Sequence, residues 1–492
     1  MSLHTRRTTP DTPTSRTRKP WTVLAIALAA QILVVLDISV VNTALPSIGQ
    51  ALRLGPGDLQ AVVTAYLMVS GGGLLLGGRI TDLASRRTVF LAGLALFTLA
   101  SLASGFAADA TWLVATRAAQ GLAAAVLTPS ALSLVMTTYD GDQRRKGLAA
   151  WGIVGSLGVA AGVLVGGALT TWVSWQLIFW VNVPIGAVAL LVGLRAIPRA
   201  IPRDIVTAPV GAPASLAQRL DLPGAAVLVA GLATLVHALS VSGTHGWASA
   251  RSIVELACAA ALLAGFVGWE RRARLPLFPP AVWGIRTLVS GTTVMLGVTG
   301  ILVGTVFLTS ILLQARLGLS ALAAGVAFLP FAVAITVGAV AARHALAHVA
   351  PRTVASAGLL VAGAAAVLLS NVPDDARYLT DLLPGLVSLG LGVGMVFVPV
   401  SVTAMAGIPE SHAGLASGFL MTGHEVGAAL GVAVLSAAAN TAGSLVDPAR
   451  VVDAFGRGLL VAGAVAVVLA LFAWLRLPAT TVAGAGGAHM HH

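Results

Sequence analysis

Apolar residues run through this chain in long unbroken blocks, each closed by a charge or by a cluster of glycine and proline. Fourteen such blocks lie between Trp21 and Leu477, at 21–44, 59–78, 88–107, 111–136, 147–170, 175–194, 222–241, 252–269, 287–310, 320–342, 353–370, 379–404, 413–439 and 456–476. A helix needs about 20 apolar residues to cross about 30 Å of hydrocarbon, and each block is of that order. The pattern predicts an all-α polytopic membrane protein of fourteen spans, with no room for a sizeable aqueous domain.

Charge gives the blocks an orientation. An even number of spans puts both termini on one side. Of the 29 Lys and Arg, 22 fall in the termini and the alternate loops on that side, six fall in the opposite loops, and Arg117 lies inside a span. Basic residues collect on the cytoplasmic side, so both ends are expected in the cytosol and the chain in the cytoplasmic membrane. The net charge of +11 does not point to nucleic acid, because the cations sit in short loops beside helix ends, where lipid headgroups are the neighbours. The lone Cys258 excludes an intrachain disulfide. Residues 1–20 and 477–492 read as disordered cytoplasmic tails, the second ending in His489, His491 and His492, a metal-binding tract or a remnant of expression. No phosphate-cradling loop is present, so ATP is not the expected energy source, and no cofactor is expected.

An internal repeat divides the chain. Arg87-Thr88-Val89-Phe90-Leu91-Ala92-Gly93-Leu94, opening the third span, returns 265 residues later as Arg352-Thr353-Val354-Ala355-Ser356-Ala357-Gly358-Leu359, opening the eleventh. Equivalent placement predicts two six-helix bundles, at 21–194 and 287–476, with a substrate path between them. Residues 195–221 are then a cytoplasmic linker, and 222–269 two inserted transmembrane helices.

Four motifs carry a family resemblance. They are Leu36-Asp37-Ile38-Ser39-Val40-Val41-Asn42-Thr43-Ala44-Leu45-Pro46 in the first span, Gly78-Arg79-Ile80-Thr81-Asp82-Leu83-Ala84-Ser85-Arg86-Arg87 after the second, Arg117-Ala118-Ala119-Gln120-Gly121 in the fourth, and Gly158, Gly162, Gly166 and Gly167 in the fifth. Asn182-Val183-Pro184-Ile185-Gly186 and Leu313-Gln314 with Gly318, Gly325 and Pro330 extend the match. In this order the chain resembles the fourteen-helix drug:proton antiporters of the major facilitator superfamily, from first span to last. It departs from the family pattern at Leu83, Ser85, Val163, Gln176-Leu177 and His424-Glu425.

Ionisable side chains inside hydrocarbon are costly and are functional candidates for that reason. Counted from their predicted span ends, Asp37 and Arg117 lie at the same depth and are placed to pair. Two readings are open: a contact that breaks between states and so couples a proton to the cycle, or a permanent structural ion pair. Glu425, about 18 Å into the thirteenth span beside His424, is a candidate proton carrier or counter-charge for a cation, against a carboxyl that merely hydrogen-bonds to its neighbour. By resemblance Asp82, Arg79, Arg86 and Arg87 form a conformational latch; a helix cap in a basic loop is the competing reading. The glycines of the fifth span make a groove for a close helix and, by resemblance, mark export. Asn42, Tyr66, Gln120, Gln314 and His424 are candidates for the substrate cavity. Trp151, Trp172, Trp175 and Trp180 read as anchors and packing, and His344 with His348 as an isolated pair without further metal ligands.

The function expected is proton-coupled export of amphipathic, hydrophobic or cationic drugs by alternating access, with substrate, protons and lipids as partners and a monomer as the working unit. A dedicated exporter of one endogenous metabolite, a symporter for uptake and a non-transporting membrane sensor are the alternatives. No catalytic constellation is seen at a membrane face, so an enzyme is not expected.

Overall fold

The computed structural model describes residues 21–197, 220–273, 276–278, 280–406, 408 and 413–479, apart from some side chains inside helices, Asp82 among them. The tail 1–20, the C-terminal histidines and most of the 195–221 linker lie outside the described residues.

Fourteen transmembrane helices follow one another: α1 (Thr22–Leu52), α2 (Pro56–Leu83), α3 (Arg86–Ser104), α4 (Ala110–Thr138), α5 (Gly141–Trp172), α6 (Leu177–Ala196), α7 (Leu222–His245), α8 (Ala250–Glu270), α9 (Arg286–Ala315), α10 (Ala321–Ala345), α11 (Pro351–Leu369), α12 (Tyr378–Met405), α13 (Ala413–Ala442) and α14 (Val451–Arg476). Helices satisfy their backbone groups within the segment, which hydrocarbon requires. Their ends are closed by caps where side chains permit: Asp109 accepts from the Trp112 amide at 2.8 Å and Ser320 from the Ala323 amide at 3.2 Å.

Helix lengths correct one expectation. The first span was expected to end at 44, ahead of Pro46, yet α1 continues through that proline to Leu52. A proline inside a helix removes only its own N–H from the ladder and leaves the carbonyl four residues back without a helical partner. Asn42 is that residue.

The two six-helix groups pack alike. In the first, α1 lies on α5, α2 on α4 and α3 on α4; in the second, α9 lies on α13, α10 on α12 and α11 on α12. The matching octapeptides open α3 and α11, and their glycines do the same job: Gly93 meets the backbone of Leu127 in α4, and Gly358 that of Gly392 in α12. The expected α5 groove is filled by α1, because Gly158, Gly162 and Gly166 face Val35, Ser39 and Val40. Gly167 looks the other way, onto Leu322 of α10, where a side chain would strike backbone.

The bundles meet along α1 with α9, α2 with α13, and α5 with α10. Helices α2 and α13 touch along much of their length, with Gly71 against Glu425 and Gly418 against Leu75, while hydrogen bonds close the end of the molecule away from the termini. Ser310 donates to the freed Asn42 carbonyl at 2.8 Å, Gln314 to the Thr43 carbonyl at 3.0 Å, and the Leu322 amide to the Thr171 hydroxyl at 3.0 Å.

The inserted pair sits on one seam. Helix α7 packs against both α2 and α13, with Gly72 against Val229, Gly243 against Ala437, and the Gln60 amide donating to the Val236 carbonyl at 3.4 Å. Helix α8 packs on α7. Residues 276–278, after α8, lie at the terminal end of the same seam. Glu270 accepts the amides of Leu277 and Phe278 at 3.2 and 2.8 Å, Arg79 of α2 donates to the Pro276 carbonyl, and the Phe278 ring meets Phe266 of α8 and Phe419 of α13 edge-on at 6.0 and 5.3 Å.

Candidate functional site

Asp37 and Arg117 form a direct ion pair, both 1% exposed. Every oxygen of the carboxylate is used. Oδ1 accepts from Gln120 at 2.9 Å and from Asn182 at 3.2 Å, while Oδ2 takes the Arg117 guanidinium. The arginine is equally committed: Nε donates to the Val62 carbonyl at 3.2 Å, a terminal nitrogen also donates to Gln120 Oε1 at 2.9 Å, and its carbon lies 4.5 Å from the centre of the Tyr66 ring. Gln120 in turn donates to Ser101 at 2.9 Å and accepts from Ser104 at 3.4 Å. Buried charges persist where they are paired and fully hydrogen-bonded, and this knot ties α1, α2, α3, α4 and α6 together.

Beside the knot, between the bundles, lies a cavity of about 510 Å³. Its roof is the Asn42–Ser310 contact, and its walls extend toward the terminal end as far as Gln31 of α1, Thr128 of α4 and Thr336 of α10. The walls differ in character. Helices α1, α2 and α4 present Gln31, Ser39, Asn42, Tyr66, Ser70 and Thr128 among apolar residues such as Val34, Ile38 and Leu74, whereas α9 and α10 present Leu302, Val303, Val306, Phe331 and Ile335 with Thr336 as their polar residue.

Glu425 of α13 is the cavity's one carboxylate among the described residues. Ser70 donates to its Oε2 at 3.2 Å, and His424 Nδ1 stands 3.6 Å from Oε1. A side chain at position 71 would meet Glu425 Cβ at 2.7 Å, so Gly71 is what lets α2 and α13 approach at this level.

Of the five cavity candidates, Asn42, Tyr66 and His424 line the cavity. Gln120 does not: three residues from Arg117 on one helix face, it is drawn into the knot. Gln314 belongs to the roof. Ser101 and Ser104 in the knot, and Gln31 and Ser70 in the cavity, were not singled out from the sequence, and Asn182 only as part of a motif; each is a polar residue within an apolar run, which is the signal that could have found them.

The basic residues near Asp82 divide. Arg79 reaches the segment after α8, whereas Arg87 donates to the Leu194 carbonyl at 2.6 Å within its own bundle; the Asp82 side chain lies outside the described residues. Trp180 donates to the Leu102 carbonyl at 3.3 Å, and none of the four tryptophans lines the cavity.

The family model for the major facilitator superfamily matches residues 27–432. The puromycin resistance protein pur8 of Streptomyces alboniger is 38% identical over 478 residues, covering 94% of this chain and 92% of that protein. The cephamycin export protein CmcT of Amycolatopsis lactamdurans is 37% identical, with 90% of each covered. Among solved structures, the POT family transporter PepTSo superposes with a TM-score of 0.63 at 16% identity, over 96% of this chain and 99% of that one, a likeness of fold. Motifs, paired bundles and near full-length matches agree, and the chain belongs to the major facilitator superfamily.

Proposed function

We infer that the protein exports amphipathic cations across the cytoplasmic membrane in exchange for protons. The observation that carries this reading is Glu425 at the wall of a mostly apolar cavity between two bundles. A carboxylate there can hold a proton or a cation but not both, so loading one displaces the other. With the termini in the cytosol, as the basic residues indicate, the closed roof faces outward and the cavity faces the cytoplasm, ready to receive cargo. Asp37 takes a different part. Its oxygens are all engaged away from the cavity, which supports the reading of the knot as a structural tie in this state. A change of state that separates Arg117 from Asp37 would open that carboxylate to protons.

Relatives named for resistance to or export of particular antibiotics, such as puromycin and cephamycin, favour a second reading, a dedicated exporter of one such compound. A resistance panel in a pump-deleted host separates the two: protection against many unrelated cations supports the first, protection against one compound the second.

Coupling is tested in inside-out vesicles with an imposed pH gradient and a fluorescent cation. Glu425→Gln should abolish gradient-driven accumulation. Full accumulation in that variant, collapsed by an uncoupler as in the wild type, removes Glu425 from the coupling mechanism.

A further inference from the structure

Asp37 and Glu425 are held differently. Asp37 has a guanidinium and two side-chain amides around it, and a guanidinium keeps its charge whatever the conditions. Glu425 has the Ser70 hydroxyl on Oε2 at 3.2 Å and, among the described residues, one basic neighbour, His424, whose Nδ1 stands 3.6 Å from Oε1. Imidazole is the basic side chain whose charge is readily switched near neutral pH.

Position makes this pair available to ligands. Consecutive residues on a helix do not face one another, yet both of these line the cavity, with side chains 35% and 19% exposed. The His424 ring lies 6.3 Å from the ring of Phe397 in α12, tilted by 43°, so one of its neighbours is apolar. From α2 come Ser70 and Tyr66, the Tyr66 ring carrying the Arg117 guanidinium of the knot 4.5 Å from its centre. Among the described residues, no other part of the cavity wall is titratable, and α7, α12 and α14, which also pack on α13, bring no residue to it.

We propose that His424 carries the exchanged proton: its imidazolium is the resident counter-ion of Glu425, and the cationic cargo takes its place. This rests on the reading of Glu425 as the counter-charge and moves the proton from the carboxylate to the neighbouring ring. Cargo arriving at the carboxylate repels the imidazolium charge and expels its proton into the cavity; release of cargo on the other side lets a proton return to the ring. One proton enters for each monovalent cation that leaves. The site is then neutral on both journeys, with cargo beside the carboxylate on the way out and imidazolium beside it on the way back, so no bare charge crosses hydrocarbon. Acid favours the imidazolium and opposes cargo, so affinity for the cation rises with pH.

Tetraphenylphosphonium provides the test, since its charge does not vary with pH. Its dissociation constant is measured on the full chain in lipid nanodiscs from about pH 5 to about pH 8, the range in which an ordinary imidazole changes charge. Release of one proton per cation bound should make the wild-type affinity fall by up to about tenfold per unit of pH toward the acid end. Infrared difference spectra on binding at that end, with and without isotope-labelled histidine, should show the loss of an imidazolium and no loss of a protonated carboxyl. The imidazolium signal should be absent from His424→Gln, and that variant should keep the wild-type affinity at about pH 8, where the ring's charge is not in play. Loss of a protonated-carboxyl signal without an imidazolium change overturns the inference, as does an affinity that does not vary with pH. Glu425→Gln separates the two readings. It should lose binding throughout; binding like the wild type overturns the counter-charge reading and this inference with it, whereas lost binding in that variant with no imidazolium change in the wild type overturns this inference alone.

Discussion

The hydroxyl of Ser310 donates to the carbonyl of Asn42 at 2.8 Å, and that carbonyl is available because Pro46, four residues on, has no N–H to offer it. A residue that weakens one helix therefore creates the acceptor by which the second bundle closes on the first. Ser310→Ala should loosen the roof by about 1 kcal/mol, or roughly fivefold in the open-to-closed ratio. Disulfide formation between Thr171→Cys and Leu322→Cys, in a Cys258→Ala background, reads that ratio. Pro46→Ala restores the helical donor, so the combination with Ser310→Ala should be less than additive.

The Asp37–Arg117 knot makes a sharper prediction. Removing one member leaves the other charge buried without its partner, at a cost of about 3–5 kcal/mol. Asp37→Asn and Arg117→Gln should each lower the melting temperature of the purified protein and its yield from membranes, and the double variant should recover a large part of the loss. Equal losses in the single and double variants would mean that packing, not charge, sets the stability here.

This knot also shows how far sequence reading reaches. The polarity of Asp37 and Arg117 within apolar spans marked them, and the structure joins them, although the depth that suggested their pairing was counted from a span end eight residues too early. Hydropathy reports what lipid tolerates, not whether a helix continues past a proline. Gln120 and Asn182 were legible as polar residues but not as partners of Asp37, because a helix apolar on every side carries no period to say which face looks inward. Beyond the last turn of α8, residues 276–278 gave no sign of bridging Arg79 and Phe419; their contacts come from amides held by Glu270, which only the folded chain brings together.

At the start of α7, Asp221 has φ 49°, accepts the Gly224 amide at 3.2 Å and also takes the Trp269 indole N–H at 2.7 Å. One carboxylate thus caps α7 and ties it to α8. Asp221→Ala loses both bonds and places alanine in the left-handed region, so a loss of about 2 kcal/mol is expected. Asn tolerates that backbone and keeps an acceptor, so Asp221→Asn should retain most of the stability. Thermal unfolding of the purified protein distinguishes the two variants.

Glycine substitutions give a graded test of the seam. A Cβ at Gly71 would stand 2.7 Å from Glu425 Cβ and 3.1 Å from the Val426 amide nitrogen, so α13 must retreat from α2 at the level of the cavity carboxylate. A Cβ at Gly431 would fall on the Gly300 backbone, forcing α9 and α13 apart within the second bundle. At Gly265, on the exposed side of α8, it meets nothing within 4 Å. Overpacking of this kind costs about 1–3 kcal/mol when neighbours can shift, and more when backbone must move. Gly431→Ala should therefore lower the melting temperature most, Gly71→Ala should reduce cation transport more than it reduces stability, and Gly265→Ala should match the wild type in both. If Gly71→Ala transported normally while Gly431→Ala was destabilised, the close approach of α2 to Glu425 would be packing alone and not part of the transport site.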